Sequence, residues 1–120
     1  DTIYVYYELY KSVKDFNIKD KKYYKKMASI KMFYYLSMML NNLIKYSNLS
    51  KKELLNYMNE IMDCKKVKEI KKFLLKNDFS ELKSHNRLMY KYCHTLLENK
   101  LDKFYFQTKY LYRFIIKEEI

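Results

Sequence analysis

No glycine, no proline and no tryptophan occur anywhere in the 120 residues. Average usage would supply about fourteen Gly and Pro together. Without Gly, no residue enters the left-handed backbone region free of steric cost. Glycine-dependent hairpins, phosphate-cradling loops and dinucleotide fingerprints are therefore not expected. Without Pro, no helix interior is broken. The class that survives is all-α. Cysteine is scarce too: Cys64 and Cys93 are too few for a disulfide framework. They read as two buried free thiols, with one bridge between their helices as the alternative.

What is present suits a folded domain. About 49% of the chain is hydrophobic and 32% charged. One helical domain over residues 1–120 is expected, and the start at Asp1 reads as an excerpt of a longer protein. The net charge of +11 points to nucleic acid, acidic lipid or an acidic protein partner. The basic residues are almost all Lys, with Arg only at positions 87 and 113. Lys is a point charge without the bidentate fork of Arg, which weakens the nucleic-acid reading. AT-rich codon usage explains part of the basicity equally well.

Apolar periodicity divides the chain into five to six helices, read as an antiparallel bundle. A first helix is expected over 2–16, with Ile3, Tyr6, Tyr7, Tyr10, Val13 and Phe16 on one face. Residues 17–20 form a turn, with Asp20 as an N-cap. A second helix, 21–46, is apolar nearly all round and reads as the buried central helix. Lys31, Asn41, Asn42 and Lys45 interrupt it too often for a membrane span. Ser50-Lys51-Lys52-Glu53 is a capping box, with Leu49 and Leu54 at the staple positions. The helix it opens either stops near Met62, with Asp63 capping a separate helix, or runs on to Lys76. Asn77-Asp78 marks a turn, and 78–81 reads as a second box. One helix follows to about Asn99 and another over 101–118, unless the two form one long rod.

Chemistry-bearing constellations are sparse. His85 and Cys93 lie two turns apart on a helix, and Cys93 and His94 point apart, so no metal site is expected. Carboxylates are scattered, and no oxyanion turn or calcium loop accompanies them. No cofactor, no small-molecule substrate and no catalytic role are expected. Two surface features stand out instead. Lys21, Lys22, Tyr23, Tyr24, Lys25 and Lys26 form a basic cluster interleaved with aromatics. Lys in a first helical turn opposes the macrodipole, which argues for a purpose. Lys65, Lys68, Lys72 and Lys76 form a basic line opposite Val67, Ile70 and Leu74. A merely solvated face remains open for both. Fifteen tyrosines, several in adjacent pairs, place some rings at the core edge or in an interface.

The Lys-, Tyr- and Asn-rich, Gly-poor helical character resembles proteins of malaria parasites. Among those it is similar to the exported helical domains of the PHIST family, without that family's tryptophans. The resemblance implies export to a host cell and binding to cytoskeletal or membrane-protein tails. Asp63-Cys64-Lys65-Lys66-Val67-Lys68-Glu69-Ile70 is similar to the signature helix of the elongation-factor S-II N-terminal domain, a docking module. Cys64 stands where that module has Gly, and its closing Trp is absent. The expectation is a non-enzymatic interaction domain that binds an acidic or amphipathic protein segment. The alternative is nucleic acid or an anionic membrane, bound through the two Lys-rich surfaces.

Overall fold

The computed structural model describes residues 2–109. Helix α1 spans Thr2–Ser12 and passes into a single 3-10 turn, Val13–Asp15. Then come α2 (Lys21–Tyr46), α3 (Lys51–Asp63), α4 (Lys65–Lys76), α5 (Ser84–Tyr92) and α6 (His94–Leu97). Residues 101–109 are helical and form α7. The described residues contain no strand, so the all-α expectation holds. Leu111, Tyr112, Ile115 and Ile116, read as the end of the last stripe, lie outside the described residues.

Helix α2 is the hub and touches α1, α3, α4 and α5. Its stripe is wide, so Phe33 and Leu40 are fully buried and Ile30, Leu36 and Ile44 nearly so. Full burial of such a side chain contributes roughly 1.5–3 kcal/mol. Ser29 and Ser37 are buried within the stripe, and each hydroxyl donates to a carbonyl of its own helix, Lys26 and Phe33 respectively. That removes the cost of an unpaired buried hydroxyl. Around α2 pack Leu54, Met58 and Met62 of α3, Val67, Ile70 and Leu74 of α4, and Met89 of α5. Contacts run from residue 14 to 21 and from 6 to 31 and 35, so α1 and α2 are antiparallel. Contacts from Tyr4 and Tyr7 to Lys66, and from Tyr10 to Phe73, make α1 and α4 parallel.

Several boundaries differ from the sequence reading. Helix α1 ends at Ser12, whose hydroxyl donates to the Glu8 carbonyl, and Phe16 is extended and exposed rather than in the core. The chain bends at Cys64, so α3 and α4 are separate helices, but Asp63 is not the cap: Cys64 holds that position without a side-chain bond. Asp20 precedes α2 in the left-handed conformation and its side chain caps nothing. Asp78 opens no helix. Its carboxylate accepts from the Ser80 amide and hydroxyl in a local turn, and α5 starts at Ser84. The predicted helix to Asn99 divides at Cys93 into α5 and α6. Leu49, expected as a staple, is exposed.

The Ser50 cap is as expected at its core. Ser50 Oγ accepts from the Glu53 amide at 3.2 Å. The return contact goes from the hydroxyl to Glu53 Oε1, at 3.1 Å, rather than to the Ser50 amide. In a chain without glycine, the left-handed positions among the described residues fall to Asp20, Ser84 and Asn99, with φ of 57°, 53° and 59°. Asp and Asn tolerate that region best, because their short polar side chains bond locally.

Candidate docking surface

The chain's reversal between α1 and α2 builds a groove. Its lower end is a socket of about 320 Å³ lined by Leu9, Val13, Phe16, Ile18, Tyr24 and Met27. Leu9, Phe16, Ile18 and Tyr24 are exposed, Tyr24 by 51%. The socket exists because α1 stops short: the extended backbone after the 3-10 turn carries Phe16 and Ile18 across the mouth between the helices. Lys21 closes the corner, its ammonium donating to the Lys14 carbonyl at 2.9 Å.

Tyr6 and Lys31 line this socket and also a second hollow of about 380 Å³. There Tyr34, Tyr35 and Met38 of α2 face His85 and Met89 of α5. The Tyr6 and Tyr35 rings stack at 5.5 Å, 7° from parallel. Tyr34 meets Tyr35 edge-on at 5.5 Å and lies 5.5 Å from Tyr92. Lys31 Nζ sits 5.7 Å from the Tyr6 ring centre, a cation over an aromatic face. The groove thus has an apolar end, a tyrosine end and an ammonium between them. Tyrosines of this kind supply large, rigid contact area with a polar tip.

The predicted cluster at the start of α2 separates by burial. Lys26 is only 5% exposed and points inward. Its Nζ lies 2.7 Å from Glu81 Oε1, donates to the Asp78 carbonyl at 2.6 Å and sits over the Phe79 ring. Lys26 is an internal tie and not part of any surface. Lys25 is half-buried, its ammonium 4.6 Å from the Tyr10 ring and 5.2 Å from Phe73. Lys21 is exposed and keeps its charge while bonding the Lys14 carbonyl. Lys22, Tyr23 and Tyr24 share the surface with it, the two tyrosine rings edge to face at 5.7 Å. The second basic line does lie on the outside: Lys65, Lys68, Lys72 and Lys76 are all exposed on α4. Lys68 comes within 3.8 Å of Asp63. Lys66 turns instead onto the Tyr4 and Tyr7 rings.

Two titratable groups on the inner faces, Tyr7 and Cys93, are held neutral. Burial, and then the 2.9 Å hydrogen bond to Glu69, push the Tyr7 hydroxyl up to about 12. Burial pushes the Cys93 thiol up to about 12 as well. Both cysteines are free, but Cys64 is exposed, not buried as expected. His94 pairs with Glu98 rather than with Cys93, and the described residues hold no cluster of metal-ligating side chains.

Sequence reasoning missed Leu9, Phe16 and Ile18 as surface residues. A signal was available: Ile18 lies in the 17–20 segment read as a turn, where an apolar residue has no core to enter, and Phe16 adjoins it. Comparison with family models, curated proteins and solved structures finds nothing that matches this chain.

Proposed function

We propose that this is a non-enzymatic interaction domain whose α1–α2 groove receives an amphipathic, acidic segment of a partner protein. The observation that carries this reading is the socket of exposed apolar side chains beside Lys31 and the tyrosine stack. A bulky apolar side chain of the partner would fill the socket, and a carboxylate a turn or two along would meet Lys31. The excess of Lys on the rest of the chain would speed the approach of an acidic partner. A host cytoskeletal or membrane-protein tail is the partner class implied by the PHIST resemblance, with export to the host cell as its setting.

The test uses a designed helical peptide with Leu or Phe at i, i+3, i+4 and i+7 and Glu on its flanks. Addition should shift the amide resonances of Leu9, Ile18, Tyr24 and Lys31. Ile18→Asp should weaken binding about tenfold or more, the loss of one well-seated apolar contact. Unchanged affinity in that variant, or shifts confined to α4, sinks the reading. A second reading rests on the exposed Lys65–Lys76 line of α4, which would bind nucleic acid or an anionic membrane. It requires affinity that falls steeply with salt and drops further in Lys65→Gln/Lys68→Gln/Lys72→Gln.

A further inference from the structure

We propose that the cleft between residues 77–80 and helix α5 binds a phosphomonoester carried on an aromatic body. This cleft uses another face of α5 from the groove: Arg87, Tyr90 and Lys91 line it, whereas His85 and Met89 line the groove. Its volume is about 530 Å³. That lies in the range of sites for small organic ligands and well beyond the needs of a bare phosphate.

Each wall has a defined chemistry. On α5, Arg87 and Lys91 are one turn apart and exposed, and neither side chain forms an ion pair or hydrogen bond among the described residues. Their spacing of four places both cations on one side of the helix. His94 continues the line but is held by Glu98, whose other oxygen meets Lys100. Opposite, the Asp78 carboxylate lines the same cleft; it accepts from the Ser80 amide and hydroxyl, both at 2.9 Å, and forms no ion pair with Arg87. Those bonds hold its carboxyl below the usual range, and the nearby Lys26 charge adds to the effect. The Phe79 and Tyr90 rings, stacked at 4.9 Å and 16°, give the cleft an aromatic wall. Lys26 fixes this loop from behind through Asp78 and Glu81.

Arg87 and Lys91 outnumber the single Asp78 carboxylate of the cleft, and the guanidinium fork of Arg87 matches two oxygens of one phosphate. A phosphate keeps a third terminal oxygen for Lys91 once the fork holds two, which a carboxylate lacks. The aromatic wall accounts for the space beyond the phosphate, since a ring there packs against the half-buried Tyr90, which the nearly buried Phe79 backs. Burial, and the Asp78 charge after it, raise the Tyr90 hydroxyl, which therefore stays protonated at neutral pH and available to donate.

Phenyl phosphate is the probe, compared by calorimetry and amide shifts with inorganic phosphate and with phenol. It should bind at least about tenfold tighter than either, with shifts at residues 77–80 and 87–94. Arg87→Ala and Lys91→Ala should each weaken it about tenfold. Arg87→Lys should recover only part of the loss, because the charge returns without the fork. Both side chains are exposed, so thermal unfolding of these variants should match the parent. Adenosine monophosphate and phosphotyrosine then separate the sources: the tighter of the two identifies a nucleotide or a modified side chain. No binding of phenyl phosphate at millimolar concentration overturns the proposal. So does full affinity in Arg87→Ala, or both larger ligands binding no tighter than inorganic phosphate.

Discussion

Replacing Lys26 by methionine removes an ammonium while keeping most of the stem that fills its site. In the folded chain the Lys26 side chain is 7% exposed, whereas that of its partner Glu81 is 56% exposed. Because Glu81 is half in water, its attraction is screened, and the pair is worth about 0–1 kcal/mol. The second bond, from the ammonium to a loop carbonyl at 2.6 Å, is shielded and charge-assisted, worth about 1.5–3 kcal/mol. Against these stands the relief of no longer burying a charge, which offsets part of the sum. Lys26→Met should therefore cost about 2 kcal/mol. Glu81→Gln should cost about 1 kcal/mol, since the amide oxygen still accepts. The double variant should be scarcely worse than Lys26→Met, because Glu81 then has nothing to lose. Urea unfolding followed by far-ultraviolet circular dichroism reads all three, with midpoints moving at constant slope. The reasoning fails if Lys26→Met stays within about 0.5 kcal/mol of the parent, or if the two single costs simply add.

Three other outcomes follow from the same geometry. Ser50→Ala deletes the acceptor for the Glu53 amide and should cost about 1 kcal/mol in a thermal melt, with the helix content otherwise kept. Tyr7 carries a raised pKa, from 10.0 to about 12, so the folded protein keeps a proton that the unfolded chain releases. Its contribution is complete below about pH 10 and is lost as pH rises toward 12; Tyr7→Phe should flatten the alkaline fall in stability, and an unchanged profile would contradict the assignment. Cys64 should react with a thiol reagent at once, while Cys93, 1% exposed, should react only at the rate at which the fold opens.

Helix positions were legible because apolar spacing is a local property: the stripe that buries Phe33, Leu36 and Leu40 is written within α2 itself. The Ser50 cap was legible for the same reason, as its donor and acceptor are three residues apart. What misled was decided at long range. Asp78 and Glu81 have the spacing of a capping box, yet Glu81 is held by Lys26, 55 residues earlier. Lys26 in turn reads as one more member of a solvated cluster, and only the loop packed on it makes it internal. The groove depended on where α1 stops, and no Gly or Pro marks that point. The cleft at Arg87 was hidden because the predicted box placed Asp78 on a helix, whereas the turn it makes sets a loop opposite α5.

The residues at Asp20, Ser84 and Asn99 give the fold an unusual relation to mutation. In most proteins some glycines already occupy the left-handed positions, so their replacement is what does harm. Here the chain carries side chains at all three, and a change to glycine there relieves steric conflict. At an exposed position inside α3, α4 or α5 the same change costs up to about 1 kcal/mol. A glycine scan along the chain would thus trace the connections as tolerant points between sensitive helices, a map of the topology drawn by a residue the protein never uses.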